Sequence, residues 1–305
     1  MTKFFSIVIP NYNGYELLKK NLPKVLSACQ KWGKDDWEIV ISDDASSDNS
    51  VRFIRENYPQ VKIVENKVNL RFAQNCNTGV RKANGKIIIL LNSDVVPKED
   101  FLSPLLKHFQ DDSVFAVGCK EKDTINGNTI LSGRGIVKFK RGLALHKRAD
   151  NQTDTYTSWV SGGSGAFDRD KWLFLGGMDK LFRPAYEEDR DLSYVALKHG
   201  WKILFEPKSL VFHHHEATNQ KEFDNKKIQI ISFKNQLLFV WKNITDLNYL
   251  IKHFFWLPYH LVFTSIRSRG MFLIGFCLAL KQLPEVLKRR YEIKSLFIKK
   301  DRELI

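Results

Sequence analysis

Five short apolar runs, SIVIP, WEIVIS, VKIVE, KIIILLN and VFAVGC, divide the first 120 residues, and stretches with helical periodicity stand between them. The intervening stretches are YELLKKNLPKVLSAC, SDNSVRFIREN, FAQNCNTGVRKA and EDFLSPLLKHF. Strands that alternate with helices of ten to fifteen residues specify βαβ units, whose strands can only meet in a parallel sheet. The first 120 residues are therefore expected to be Rossmann-like α/β.

Beyond them, residues 122–157 carry scattered glycines, no helical period and β-tolerant runs such as GIVKFK, the pattern of a hairpin-rich insertion. A helix is expected from about Glu188 to His199, ended by Gly200, followed by two further strands, WKILFEP and LVFHHH. From Glu222 the pattern is helical almost to the end, with no internal repeat. A chain of 305 residues with 43 % apolar content can bury one large core plus an appendage, which excludes a mostly disordered protein.

The charge is unevenly distributed. Of the formal net +14, a surplus of seven lies in residues 249–305, where eleven Lys and Arg face four Asp and Glu. The same segment holds the densest apolar runs, YLIKHFFWLPYHLVFTSI and GMFLIGFCLALKQL, a combination that suits anionic lipid better than nucleic acid. Neither run reads as a membrane span. Lys252, His253, Pro258 and His260 interrupt the first, and the second is too short. Phe4 to Pro10 reads as a buried strand and not as the charged n-region and apolar h-region of a leader, and a cytoplasmic protein, peripheral on the inner face of the membrane, is expected. The cysteines, Cys29, Cys76, Cys119 and Cys277, form no CxxC pair and are expected to be reduced. No basic recognition helix or RNA-binding aromatic motif accompanies the positive charge, and no nucleic-acid partner is expected.

In an open parallel sheet, ligands bind outside the carboxyl ends of the strands, and here three strands end in polar residues. SIVIP runs into Asn11-Tyr12-Asn13-Gly14, WEIVIS into Asp43-Asp44-Ala45-Ser46, and KIIILLN into Ser93-Asp94. A carboxylate after the second strand can accept from a pyrimidine N3–H or a ribose hydroxyl, and one after the fourth can hold a divalent cation against a diphosphate. Such residues also serve as ordinary helix caps, as Ser46 to Asp48 are read here. Farther along, Trp159 to Lys202 combines a glycine-rich turn (Gly162, Gly163, Gly165), an aromatic helix and the carboxylates Glu187, Glu188, Asp189 and Asp191. A loop open to a bulky hydroxylated substrate followed by carboxylates at a helix start suits removal of a sugar hydroxyl proton, or is a solvated acidic helix start. Trp159 and Trp172 are candidates for stacking on sugar faces or for the core, and Gly176-Gly177 for a helix C-cap.

Taken together and in order, SIVIPNYNG, VISDDASSDNS, NLRFAQNCNTGVRKANGKIIILLNSD, SGGSGAFDRDKW and EEDRDLSYVALKHGW resemble the family 2 glycosyltransferases, inverting nucleotide-sugar enzymes with a GT-A fold, from about Phe5 to His215. Within the family, the rhamnosyltransferase-like branch of cell-surface polysaccharide synthesis is the most similar. The resemblance implies a GT-A domain over residues 1–221, with a nucleotide-binding half to about 120 and an acceptor half from 121; the helical, basic region over 222–305, read from its charge and apolar runs, is expected to associate with a membrane. It implies that Asp43 contacts the base with Asp44 alongside, that Asp94 ligates Mn²⁺ or Mg²⁺, with His213 completing the shell, and that Asp189, paired with Glu188, is the base. Pro10, Asn11, Asn13, Asn69, Arg71, Asn75, Asn92 and Ser93 are the further expected nucleotide-sugar contacts; Gly162, Gly163 and Asp191 are assigned to the acceptor loop.

Two departures stand out. Relatives often carry two aspartates where this chain has Asn92-Ser93-Asp94, so a metal would gain one carboxylate and draw on diphosphate oxygens and His213, an imidazole that favours Mn²⁺. Of the triplet, His213 and His215 would share one face of a strand. Arg71 stands where relatives commonly have glycine; either the loop differs there or the guanidinium meets a phosphate. The expected partners are a pyrimidine-diphosphate sugar, dTDP-rhamnose or a UDP-hexose, and a lipid-linked or polysaccharide acceptor. An inactive GT-A scaffold that assembles with other surface-polysaccharide enzymes is the alternative.

Overall fold

The structure, a computed structural model, describes residues 4–125, 128–213 and 224–305. The alternation read from the sequence appears as β1 (Phe5–Asn11), α1 (Tyr15–Lys31), β2 (Trp37–Asp43), α2 (Ser50–Asn57), β3 (Lys62–Glu65), α3 (Arg71–Lys82), β4 (Ile87–Leu91), β5 (Val95–Pro97) and α4 (Leu102–Leu106). β3, β2, β1 and β4 lie side by side and parallel, with Asn11 in register with Asp43. Every residue of β1 and β4 is buried, as expected for strands covered by helices on both faces.

The insertion forms two hairpins, β6 (Val114–Ile125) with β7 (Asn128–Ser132), and β8 (Gly135–Lys140) with β9 (Leu143–Arg148). β10 (Ser164–Asp168) then runs antiparallel between β4 and β6, followed by α5 (Arg169–Phe174) and α6 (Glu188–Lys198). The two strands expected after Gly200 are one, β11 (Lys202–His213). Its register against β6 shifts between Lys202 and Ile203 and again between Glu206 and Leu210, where Pro207 has no N–H to give to the ladder. His214 and His215 lie outside the described residues.

The order across the nine-stranded sheet is β3-β2-β1-β4-β10-β6-β11-β5, with β7 on β6. Only Asn92, Ser93 and Asp94 separate β4 from β5, yet three strands intervene between them in the ladder. So short a link spans roughly 14 Å at full extension, and the sheet must curl to bring its far end back toward β4.

Among the described residues, four longer helices follow, α7 (Asn225–Asn243), α8 (Leu247–Tyr259), α9 (Met271–Lys281) and α10 (Leu283–Lys294), with a short helical turn at Ser265–Arg267 before α9. A π turn at His260–Thr264 continues α8. With the β8–β9 hairpin they enclose a third apolar cluster, around Leu237, Phe239, Phe272 and Tyr194, which docks them on α6. Among the described residues, no helix is long and apolar enough to cross a membrane.

Candidate active site

The polar ends of β1 and β2 form one hydrogen-bonded unit. Asn11 Nδ2 donates to Asp43 Oδ2 at 2.8 Å, and Ser46 donates to the same carboxylate through its backbone N (2.9 Å) and its Oγ (2.6 Å). Asn13, at φ +50°, closes the rim: its N–H donates to Ser46 Oγ and its Oδ1 accepts from Ser47 N. Ser46 thus orients Asp43 instead of capping α2; Asp48 Oδ1 accepts from Ser50 N. Pro10 lies buried in β1.

Asp44 has another task. Its Oδ1 accepts from Asn66 Nδ2 and Leu70 N, and its Oδ2 from Arg71 N at 2.8 Å, so it clamps the loop that starts α3. Arg71 keeps a left-handed backbone, φ +67°, of the kind glycine adopts freely. The loop conformation is therefore retained with a guanidinium in place of a hydrogen, and Asn69 Oδ1 also accepts from Arg71 N. Asn75 is spent on the framework, bonding Ser42 through its Nδ2 and Oδ1 and accepting from Asn66. Asp44 and Asn75 brace the end of β2 and the loop before α3.

Between β4 and β5, Asp94 faces His213, whose Nε2 lies 3.4 Å from Asp94 Oδ1. The curl and the register of His213 opposite Val95 bring together residues 119 positions apart. On its other side, His213 Nδ1 is 4.0 Å from Glu121 Oε2. Burial disfavours the imidazolium, but the Asp94 and Glu121 carboxylates outweigh it and raise His213 to about 10. Asn92 Oδ1 and Asn11 Oδ1 are buried with no hydrogen-bond partner, a cost that a ligand would relieve. A carboxylate and an imidazole facing each other, the imidazole backed by a second carboxylate, fit a divalent cation that would take the place of the proton on Nε2. Among the described residues no three His, Cys, Asp or Glu side chains converge on a metal position, so a bound ion would need ligand oxygens as well.

The glycine loop joins this centre to the carboxylates of α6. Asn92 N donates to Gly163 O at 2.9 Å, while Gly162 N donates to Asp189 Oδ2 at 3.3 Å. Neither glycine has room for a side chain: a Cβ on Gly163 would lie 2.6 Å from Asn92 Nδ2, and one on Gly162 2.6 Å from Met178 Cε. Asp189 is half-buried and Glu188 buried. Burial raises Asp189 against the pull of Arg190, and burial together with the Asp189 charge raises Glu188 to about 8. Glu187 does the opposite: despite burial, His146 at 2.8 Å and Arg190 at 3.0 Å hold it down at about 2. The helix start thus separates one fixed charge from a pair that titrates together.

Asp191 does not belong to the acceptor loop. Its carboxylate is buried, 2.6 Å from Lys242 Nζ and 2.8 Å from Asn243 Nδ2, because two residues along a helix point to nearly opposite sides. Trp172 is core, and Trp159 packs between His146 and Arg190 behind the turn. Four contributors escaped the sequence reading: Glu121, His146, Lys234 and Asn235. Asn235 Nδ2 reaches the carbonyls of Phe182, Ala185 and Tyr186, and Lys234 Nζ that of Arg183, so α7 holds the turn in which Tyr186 and Glu187 both have positive φ. The signal for Lys234 and Asn235 was in the sequence: the pairs Lys234-Asn235 and Lys242-Asn243 recur eight residues apart in an apolar helix.

The model of "Glycosyl transferase family 2" matches residues 6–172. The undecaprenyl-phosphate 4-deoxy-4-formamido-L-arabinose transferase of Edwardsiella ictaluri is 32 % identical over 126 residues, 40 % of this chain and 38 % of that protein. Chondroitin synthase of Escherichia coli is 24 % identical over 249 residues, 72 % of this chain and 36 % of that protein. The chain thus spans less than two fifths of the length of either relative. Among solved structures, GalNAc-T7 with UDP, GalNAc and Mn²⁺ has a TM-score of 0.61 at 21 % identity, covering 79 % of this chain and 48 % of its own. The mannosyltransferase PcManGT from Pyrobaculum calidifontis, in complex with GDP-Man and Mn²⁺, has a TM-score of 0.58 at 18 % identity, covering 97 % and 86 %. At these identities the likeness is one of fold, and it is the GT-A fold. Family model, relatives and fold agree with the strand-end motifs: the chain belongs to glycosyl transferase family 2.

Proposed function

We propose that this glycosyltransferase moves a sugar, with inversion, from a pyrimidine-diphosphate donor, dTDP-rhamnose or a UDP-hexose, to a hydroxyl of a lipid-linked or polysaccharide acceptor. One observation carries the reading: Asp189 and the Asn92–Asp94 segment hydrogen-bond to adjacent residues of one glycine loop, so a base and a diphosphate site flank a single reacting centre. The nucleotide lies over the ends of β2 and β1, its base near Asp43 and its ribose near Asn11 and Asn13, and its diphosphate reaches Asn92, Ser93 and Asp94. Neighbouring strands are about 4.8 Å apart, so β2 to β4 spans roughly one nucleoside.

Asp189 takes the proton of the acceptor hydroxyl as that oxygen bonds to the anomeric carbon. The bond from that carbon to the diphosphate oxygen breaks at the same time, and its electron pair leaves with the nucleoside diphosphate. Glu188 shares the proton of the pair, and Glu187 with Arg190 keeps the turn in place. A divalent cation, Mn²⁺ in preference to Mg²⁺, held by Asp94 and His213 would neutralise the charge gathering on the diphosphate.

The division at about residue 221 into a GT-A domain and a basic helical region belongs to the same reading, as does work at the inner face of the cell membrane. The Edwardsiella relative supports the choice of acceptor, since its name specifies undecaprenyl phosphate.

The test is calorimetric titration with UDP, dTDP, GDP and CDP, with and without Mn²⁺, on the parent and on Asp94→Ala. Manganese-dependent binding of one pyrimidine diphosphate, lost in the variant, is expected. Binding that ignores both the metal and the substitution would overturn the site, and binding of none of the four would favour an inactive scaffold.

A further inference from the structure

The outward side of α8 and its π-turn continuation is apolar and open. Leu247, Ile251, Phe254 and Phe255 follow a helical i, i+4, i+7, i+8 spacing, and Phe263 and Ile266 extend the series. Phe255 and Ile266 are 76 % and 74 % exposed, and Phe254 and Phe263 at least 60 %. The opposite side of the same helix is fully engaged. His253 is buried, its Nδ1 2.7 Å from Gly142 O and its Nε2 accepting from Trp241 Nε1, while His260 Nε2 lies 2.8 Å from Arg141 O. Packing on the β8–β9 hairpin therefore fixes which side faces outward, and water gains a run of large side chains that a monomeric soluble protein seldom exposes.

Charge identifies the occupant. No Asp or Glu occurs between Asp246 and Glu285, a stretch that carries Lys252, Arg267, Arg269 and Lys281. The hairpin tip beneath α8 adds Lys140 and Arg141, the guanidinium of Arg141 lying over the Trp256 and Tyr259 rings. A second copy would bring the same cations and no carboxylate to meet them. An anionic bilayer brings the opposite sign, along with an apolar interior that accepts aromatic side chains from a helix lying in its plane.

We propose that α8 and its continuation through Ile266 form an in-plane docking surface for an anionic lipid bilayer, with Phe254, Phe255, Phe263 and Ile266 entering the acyl layer and the surrounding Lys and Arg meeting headgroup phosphates. The proposal deepens the reading above and rests on it only for the lipid-linked acceptor. α7 links the two sites, because its Trp241 donates to His253 of α8 and its Asn235 holds the turn before Asp189.

The experiment is flotation of the full chain with vesicles of phosphatidylcholine alone or mixed with phosphatidylglycerol, for the parent, Phe255→Glu/Phe263→Glu and Arg267→Glu/Arg269→Glu. The parent should float with the mixed vesicles, stay behind with phosphatidylcholine, and release as salt is raised. The Phe variant should lose flotation, the Arg variant should lose its preference for phosphatidylglycerol, and both should melt at the parent's temperature because these side chains are exposed. Flotation of the Phe variant equal to the parent's overturns the proposal. So does failure of the parent to float; a dimer in light scattering that the Phe substitutions dissociate would then assign the face to a second copy. Nucleotide titration of the same preparations distinguishes a failed surface from a failed active site.

Discussion

Glu187 and Glu188 are adjacent in the chain and opposite in protonation: His146 and Arg190 keep the first ionised, while burial and the neighbouring Asp189 charge keep a proton on the second up to about pH 8. A carboxyl raised from 4.5 to about 8 by folding stabilises the native state below its unfolded value, and that contribution disappears as pH rises through 8. Glu188→Gln keeps the shape and cannot ionise. Its stability relative to the parent should therefore grow between pH 5 and pH 9, by on the order of a few kcal/mol. Urea midpoints at the two pH values measure this, and an unchanged gap would refute it.

Glu121 backs His213 as Asp94 faces it, and the imidazole is held between two carboxylates. Removing one without changing its size should loosen the ring that a cation would use. Glu121→Gln is expected to raise the Mn²⁺ concentration for half-maximal transfer by about 10- to 100-fold, with little change at saturating metal. A metal titration of initial rates decides it; an unshifted midpoint would confine Glu121 to a structural role.

The parallel half of the sheet was legible because β1, β2 and β4 are short runs rich in Ile, Val and Leu that lead into Asn or Asp, and such runs have little alternative to burial between helices. Asp94 and Asp189 stood out for the same local reason, as carboxylates next to a strand end and a helix start. What was not legible depends on the curl. Nothing local ties Glu121 to His213, 92 positions away, and their approach follows from strand order and register. Asp191 was placed in the acceptor loop by proximity in the chain, although helical geometry turns it toward Lys242. β11 looked like two strands because Pro207 interrupts the pattern without ending the pairing.

Asp301 ties the last residues to α6. Its carboxylate accepts from Tyr194 Oη, Lys198 Nζ and the backbone N–H groups of Thr245 and Asp246, and neither Asp301 nor Lys198 has any exposed surface. Removing one partner leaves a buried charge uncompensated. Asp301→Ala should cost about 3–5 kcal/mol, and Asp301→Ala with Lys198→Met should recover part of it. Denaturant unfolding of the three proteins tests this; equal stability of the single variant and the parent would mean that water replaces the carboxylate.

Gly163 and Gly176 separate crowding from backbone strain. At Gly163 an added methyl would lie 2.6 Å from Asn92 Nδ2, so the Asn92 side chain, two residues before Asp94, has to give way. At Gly176 nothing lies within 4 Å of the added methyl, but φ is +82°. Gly176→Ala should therefore lose about 1 kcal/mol of stability at unchanged kcat/KM. Gly163→Ala should lower kcat/KM by about tenfold to a hundredfold, because a displacement near 1 Å at a reacting centre is that costly, while its unfolding midpoint stays close to the parent's. If both variants lost stability and kept activity, the loop would be a spacer, and the contacts from Gly162 to Asp189 and from Asn92 to Gly163 would have no part in aligning the base with the diphosphate.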